Sequence, residues 1–457
     1  MTPSREALSV VVIGGGFSGL LTAIHLLEQD PHVVVRLVEK AERFGRGRAY
    51  SAANGQHLLN VRASNMSAFA ARPDHFLDWL AARGGHGDGF VSRARYGEYL
   101  QGLLRKVIAE DACAGRLLLE QDDAVGVDFG DGRPRVRLAL GRQLSADAVV
   151  LAAGLGLPSS TAAASACERR GPPIYFADPW RIEPDAAPAG DILLIGSGLT
   201  MVDVALALAR PDRRFTVVSR HGLLPQTHGP ATVAPLPEGP LDTPRRVLAQ
   251  LRNHAAQVGW RSAVDSLRPI TPAIWRSWSL PERRRFLRHA RAWWDVHRHR
   301  MAPRVAEQIA GLAQNGRLQL VAARLERLEP TDRGLSARLR RRGASVSEVR
   351  AFAAAVNCTG LSSDLSDAPL FLDLATQGLL RSDPLNLGLD VDDHFRVLGA
   401  AGTATRGLFA VGPLTRAARW ESVAVPDLRG QTEEVARTVL ADLRPGSIQR
   451  ALAACCF

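Results

Sequence analysis

Two glycine-rich turns about 180 residues apart, each entered by an apolar strand and left by an apolar helix, constrain this chain more than any other feature. The first reads Val10-Val11-Val12-Ile13-Gly14-Gly15-Gly16-Phe17-Ser18-Gly19 and predicts a buried strand running into a helix over Leu20–Leu27. Glycines at these places permit a tight turn and let the backbone approach a pyrophosphate, which the amides and dipole of a helix N-terminus attract. The pattern carries weight only with a strand before it and a helix after it, and both are present. The following strand, Val33 to Val38, ends at Glu39, where a carboxylate can accept both hydroxyls of an adenosine ribose. Gly14, Gly16, Ser18, Gly19 and Glu39 are thus expected to hold one dinucleotide.

The second turn reads Ile195-Gly196-Ser197-Gly198-Leu199-Thr200-Met201 and leads into a helix over Val202–Ala209. Met201 replaces the third glycine, which loosens helix-strand packing but keeps the two glycines nearest the phosphates. The next strand, Phe215 to Val218, ends in Ser219-Arg220-His221 with no acid at the ribose position. A cation and a hydroxyl there suit a 2′-phosphate and favour NADPH over NADH. An exposed Arg-His turn is the plain alternative in a chain this rich in arginine. Gly196, Gly198, Leu199, Thr200, Ser219 and Arg220 form the second expected site.

A longer repeat ties the two turns together. Gly115-Arg116-Leu117-Leu118-Leu119 leads through a charged stretch to Ala148-Val149-Val150-Leu151-Ala152-Ala153-Gly154. Gly316-Arg317-Leu318-Gln319-Leu320 leads through a similar stretch to Ala355-Val356-Asn357-Cys358-Thr359-Gly360. Each predicts a β-meander feeding a buried strand that ends in a glycine, Gly154 or Gly360, beside a nucleotide.

Further segments carry a family resemblance: Gly45-Arg46-Gly47-Arg48-Ala49-Tyr50-Ser51, His57-Leu58-Leu59-Asn60-Val61-Arg62-Ala63, Gly198-Leu199-Thr200-Met201-Val202-Asp203, Trp294-Asp295-Val296-His297-Arg298-His299-Arg300 and Gly407-Leu408-Phe409-Ala410-Val411-Gly412-Pro413-Leu414. With the two turns they make the chain resemble the bacterial FAD/NAD(P)-binding proteins, two-dinucleotide-binding-domain flavoproteins related to flavin-dependent N-hydroxylating monooxygenases. The resemblance implies FAD in the first unit and NADPH in the second, with Gly45, Arg46 and Gly412 near the flavin.

The implied fold is α/β, with two Rossmann-like domains carrying β-meanders, the NAD(P)H domain inserted in the FAD domain, and a helical insertion. Residues 1–165 are expected to build the first part of the FAD domain, 190–350 the NAD(P)H domain with the insertion at about 240–305, and 355–457 the second FAD part. The last helix is expected to start at Pro426, since proline suits the first helical position. Its N-terminus would face the reduced flavin, whose negative charge it stabilises. Related flavoproteins place an aspartate after the glycine at Gly412. Here Pro413 follows, so a substitute contact is expected from elsewhere or from the backbone.

The 457 residues suffice for two or three domains with substantial cores. No apolar run reaches the length of a spanning helix, and the N-terminus enters the first strand without a secretory pattern, so a cytoplasmic protein away from membranes is expected. The five cysteines, Cys113, Cys167, Cys358, Cys455 and Cys456, show no CxxC or metal spacing. That sets aside metal sites and the redox dithiol of flavin disulfide reductases. Adjacent Cys455 and Cys456 make a poor disulfide. The net charge of +11 comes almost wholly from arginine, since Lys40 and Lys106 are the only lysines. Arginines spread along a whole chain are not a binding surface, and the Trp- and Arg-rich segment Arg268 to Arg304 has helical spacings that suit a core, so no nucleic-acid partner is expected.

Chemistry follows from the cofactors. The resemblance implies that NADPH reduces the flavin, which then meets oxygen to give a C4a-hydroperoxyflavin and hydroxylates a small molecule. Among the monooxygenases of this kind, which include Baeyer-Villiger and microsomal-type enzymes, the resemblance favours N-hydroxylation of an amine or amino acid. The Phe-x-Gly-x-x-x-His-x-x-x-Trp signature of Baeyer-Villiger enzymes has no counterpart around Phe176 to Trp180. The alternatives are a flavin dehydrogenase or reductase passing electrons to a small-molecule or protein acceptor, and a flavin-bound sensory or structural protein. Substrate and oxygen are the expected partners, and oligomerisation is left open. Asn60 and His297 are the catalytic candidates. As the resemblance suggests, Asn60 could lie against the flavin as a cofactor contact and steady a peroxide, or it could simply bond its own loop; His297, with His299 and Arg300, could line the substrate side or form a solvated helix face.

Overall fold

Val10, Val11 and Val12 are wholly buried, as expected of a strand covered on both faces. The structure, a computed structural model, describes residues 7–51, 57–85, 89–110, 113, 115–130, 132–156 and 174–444. From the N-terminus, β1 (Ser9–Ile13) turns into α1 (Phe17–Gln29), followed by β2 (Val34–Glu39), the single turn α2 (Gly47–Tyr50), α3 (His75–Ala81) and α4 (Arg93–Ala109). Five strands come next: β3 (Leu117–Gln121), β4 (Ala124–Asp128), β5 (Arg135–Leu138), β6 (Gln143–Ser145) and β7 (Ala148–Leu151). The middle of the chain holds β8 (Tyr175–Phe176), β9 (Gly190–Ile195), α5 (Leu199–Ala207) and β10 (Arg213–Ser219). Helices α6 (Pro244–Val258), α7 (Trp260–Ser266), α8 (Thr271–Ser277), α9 (Leu280–His289), α10 (Arg291–Arg298) and α11 (Pro303–Gln314) lead to β11 (Leu318–Thr331), β12 (Gly334–Arg341), β13 (Glu348–Phe352) and β14 (Ala354–Asn357). The chain closes with α12 (Pro369–Thr376), β15 (Arg396–Leu398), β16 (Ala404–Ala410) and α13 (Val425–Leu443).

These elements sort into two compact units. Among the described residues, unit 1 takes 7–51, 61–156 and 363–444, and unit 2 takes 57–60 and 174–362. The sheet of unit 1 runs β15-β16-β7-β1-β2-β3, with β4-β5-β6 as a separate antiparallel meander. The sheet of unit 2 runs β13-β12-β11-β10-β9-β14-β8. The parallel order β7-β1-β2-β3 in one recurs as β14-β9-β10-β11 in the other. The repeat seen in the sequence is therefore a repeat of architecture. In unit 1 the meander and α12 bury Val127, Val136, Leu370, Phe371 and Leu374 in one cluster with Val11, Val149 and Leu408.

Some boundaries differ from expectation. Unit 2 starts before residue 190, because Tyr175–Phe176 hydrogen-bonds alongside β14, and the chain leaves it at 362 rather than about 355, because β14 is the parallel partner of β9. Helix α1 begins at Phe17 rather than Leu20, with Gly16 already its N-cap. Helix α13 begins at Val425, which places Pro426 second in its first turn, where a missing N–H is equally harmless. The insertion is a set of five helices, α6 to α10, in which Trp275, Trp278 and Phe286 pack as core while Trp293 remains 49% exposed. Among the described residues no helix is long and apolar enough to cross a membrane. Cys167, Cys455, Cys456 and residues 159–173 lie outside the described residues.

Candidate functional site

In unit 1 the turn between β1 and α1 is made of close approaches that side chains would prevent. Gly14 has φ +108°, and a Cβ on it would lie 2.5 Å from the Ala152 carbonyl oxygen at the end of β7. A Cβ on Gly19 would overlap the Gly14 carbonyl oxygen. Gly16 differs: its Cβ would meet only Gly47, at 3.4 Å, and a Cβ on Gly47 would lie 3.0 Å from Gly16, so the two glycines let these backbone segments pack closely. Helix α1 has no side-chain cap at Gly16, which leaves its first-turn amides to a ligand.

Glu39 lies where the sequence placed it. One carboxylate oxygen accepts the Gly15 amide at 2.7 Å and the other the Ala41 amide at 2.9 Å, so the acid is oriented at the mouth of the turn. The Gly45 amide donates to the Gly15 carbonyl at 2.6 Å, docking the Gly45–Tyr50 segment on the turn. Arg46 donates to Gln101 Oε1 at 2.8 Å, while its Nε is buried with no partner among the described residues. The Tyr96 hydroxyl is in the same state, and its ring lies 4.8 Å from that of Tyr50. Burial, reinforced by Tyr50 and Tyr99, holds the Tyr96 hydroxyl well above its ordinary pKa, so it stays a donor. Closely packed glycines, uncapped amides and two buried unsatisfied donors fit a dinucleotide phosphate chain.

Gly412, with φ +80°, comes so near Ser18 that a Cβ would lie 2.6 Å from its Oγ. No aspartate follows it; instead its amide donates to Gln431 Oε1 at 2.9 Å, Gln431 donates to Thr415 Oγ1 at 2.7 Å, and Thr415 returns a bond to the Gly412 carbonyl at 2.9 Å. Sequence reasoning missed Gln431 because it stands on α13, remote from the turn it holds. Gly154 has φ +70° with open space where a Cβ would be.

Unit 2 repeats the construction. Gly196 has φ +103°, a Cβ on it would lie 2.6 Å from the Cys358 carbonyl oxygen, and its amide donates to Val218 as that of Gly14 does to Val38. Gly198 caps α5 without a side-chain bond and faces open space. Leu199 and Thr200, first in α5, are half-buried, whereas Met201 is fully buried as helix packing in place of a glycine. Asn357 Oδ1 accepts from the amide and the hydroxyl of Thr359, fixing the turn that ends in Gly360, φ +93°. Burial, with Asp203 adding to it, pushes the Cys358 thiol far up and keeps it neutral.

At the end of β10, the Ser219 oxygen accepts from Ser197 Oγ at 2.9 Å and from the Gly222 amide at 3.1 Å, so it braces the turn. Arg220 is exposed and forms no ion pair among the described residues. His221 is half-buried, and burial together with the charges of Arg342 and Arg220 lowers its imidazole below the ordinary value.

The catalytic candidates fall in unit 2. The Asn60 carbonyl accepts from His228 Nε2 at 3.0 Å, and no bond between Asn60 and His297 is found among the described residues. His297 donates from Nδ1 to the Trp293 carbonyl at 2.8 Å and packs edge-on against Trp260. Segment 226–228 relates the two, pairing with Val296 and Met301 while His228 reaches Asn60. His228 had no signal in the sequence. Arg300 is neither solvated nor free for a substrate: it is 3% exposed and bonded twice to Asp265, at 2.9 and 3.0 Å.

Two mixed sheets whose four-stranded parallel parts match in order, each with a glycine turn opening a helix, define a two-dinucleotide-binding-domain flavoprotein fold. Residues 11–156 match the family described as FAD-NAD(P)-binding. No curated protein matches the sequence. Among solved structures, the chain is similar to L-lysine 6-monooxygenase from Pseudomonas syringae, with 18% identity, a TM-score of 0.68, and 95% of this chain and 99% of that one covered. Ornithine hydroxylase from Pseudomonas aeruginosa gives 17%, 0.62, 96% and 100%, and bacillithiol disulfide reductase from Bacillus cereus 14%, 0.58, 95% and 99%. At these identities the likeness is one of fold.

Proposed function

We propose that the chain is an FAD-dependent, NADPH-using monooxygenase that adds an oxygen atom to a small molecule, with the nitrogen of an amine or amino acid as the favoured target. One observation carries the reading: two glycine turns alike in construction are opposite in charge at the ribose end, with Glu39 in unit 1 and Arg220 beside His221 in unit 2. A carboxylate suits a bare ribose and cations suit a phosphorylated one. Gly14, Gly16, Gly19 and the first amides of α1 would hold the FAD phosphates, with Arg46 and Tyr96 as donors and Gly45, Gly154 and Gly412 giving room. Gly196, Gly198, Leu199, Thr200 and Gly360 would line the NADPH phosphates. FAD, when bound, supplies the two-electron relay between NADPH and an acceptor.

Oxygen is favoured as that acceptor because the described cysteines offer no dithiol: Cys113 and Cys358 are both buried and belong to different units. Ornithine and lysine, the substrates that name two of the similar structures, are the first amines to try. The test counts hydroxylated product and hydrogen peroxide per NADPH consumed, with and without oxygen, for lysine, ornithine and simple diamines. Oxygen-dependent consumption with product formed is expected. Peroxide accounting for all NADPH with every amine, or consumption unchanged without oxygen, would sink the monooxygenase reading, and the second result favours a reductase.

A further inference from the structure

The ribose end of unit 2 gathers more positive charge than the strand-end motif Ser219-Arg220-His221 contains. Ser219 stands in parallel register with Ala322 of β11. Gly222, φ +61°, lies so close to Ala322 that a Cβ would come within 2.9 Å of its Cβ, which presses the Arg220–Gly222 turn against that residue. From the other direction in sequence, the amide of Arg342, in the turn between β12 and β13, donates to the Ala322 carbonyl at 2.8 Å. Two turns separated by 120 residues thus meet on one alanine.

Their charges are not balanced. The neighbouring arginines of the hairpin are neutralised, Arg340 by Glu326 at 3.1 Å and Arg341 by Glu348 at 3.2 Å. Arg342 and Arg220 are exposed and have no acidic partner among the described residues. His221 Nδ1 is buried and has no partner among them either. Exposed cations gathered without a protein anion repel each other weakly through water and salt, and the positive field they leave attracts a ligand of high negative charge.

We infer that Arg342 completes, with Arg220 and His221, a cradle for a phosphate monoester on the adenosine ribose of the dinucleotide held by unit 2. The inference rests on the reading of unit 2 as an NADPH site and adds to it a specificity residue from a different hairpin. A monoester dianion offers three oxygens to these donors, and the end of β10 is where the 2′ position of such a ribose falls. Neutral when the site is empty, His221 would gain a proton as the dianion arrives.

The test titrates the FAD-loaded full chain with 2′-phospho-ADP-ribose and with ADP-ribose by calorimetry, in the wild type and in Arg342→Ala, Arg342→Lys and His221→Asn. Wild type should prefer the phosphorylated compound. Arg342→Ala should weaken that compound about tenfold, the scale of one charge-assisted hydrogen bond, and leave ADP-ribose unchanged. Arg342→Lys should restore part of the loss, which a merely structural arginine would not show. Equal losses for both compounds, or no loss, overturn the role of Arg342. Equal binding of both by wild type overturns the cradle while leaving a dinucleotide site, whereas failure of wild type to bind either removes the reading of unit 2 itself.

Discussion

Gly16 and Gly19 are adjacent in the same motif but answer to different forces. Gly19 cannot carry a side chain because the Gly14 carbonyl occupies its place, so Gly19→Ala would open the turn itself. Gly16 faces only Gly47. Gly16→Val, whose Cβ meets nothing tighter than an ordinary contact, should therefore leave the unit folded while putting a branched side chain at the uncapped start of α1, where phosphate would approach. Purified protein should retain an unchanged far-ultraviolet circular dichroism spectrum and lose its bound flavin; stoichiometric FAD in this variant would move the cofactor elsewhere. Arg220 calls for a smaller number. Because it is exposed, Arg220→Ala should weaken NADPH by about 1.5 kcal/mol, the lower end for a charge-assisted hydrogen bond, and leave NADH within error. Parallel losses in a binding titration would make Arg220 structural.

Among the elements, the insertion and the α3–α4 pair make the most specific predictions. Trp275 is 1% exposed and packs on Trp278 and Phe286, so Trp275→Ala should cost about 3–5 kcal/mol in denaturant unfolding. Trp293, on the outer face of α10, should cost no more than about 0.5 kcal/mol. Reversed costs would mean that the helices pack differently. At the start of α3, His75 shares a 2.8 Å hydrogen bond with the Tyr99 hydroxyl of α4. Burial first, then Arg72 and Lys106, lower its pKa below the unfolded value. The unfolded chain then binds the proton better, so this histidine's contribution to stability is whole above pH about 6.5 and declines as pH falls through that value. Melting temperatures followed downward from neutrality should drop in the wild type and drop less in His75→Gln; identical slopes would assign the acid sensitivity to other groups.

At the scale of the whole molecule, the two units differ in continuity. Unit 2 is nearly one uninterrupted run, 174–362 among the described residues, whereas unit 1 is assembled from segments before and after it. Its core cluster, with Leu193, Val218, Val321, Leu335 and Ala355, draws only on that run. A fragment spanning 157–362 should therefore unfold cooperatively on its own and bind NADPH without FAD. A fragment that expresses without a cooperative melt would show that unit 2 depends on the rest of the chain.

The glycine turns, the duplicated order of strands and the burial of β1 and β9 were legible because each depends on neighbours in sequence: a short-range turn geometry and an unbroken apolar run leave few folds open. Glu39 was legible for the same reason, as it closes the strand that the first helix feeds. Tertiary structure alone decided the rest, because those contacts join residues that sequence spacing does not relate. Only the fold gave the Gly412 turn a glutamine on α13, joined Asn60 to His228, buried Arg300 on Asp265 and used the Ser219 oxygen as a brace. Only the fold brought Arg342 to the turn at Arg220, since the meeting point, Ala322, is fixed by strand register and carries no chemistry of its own.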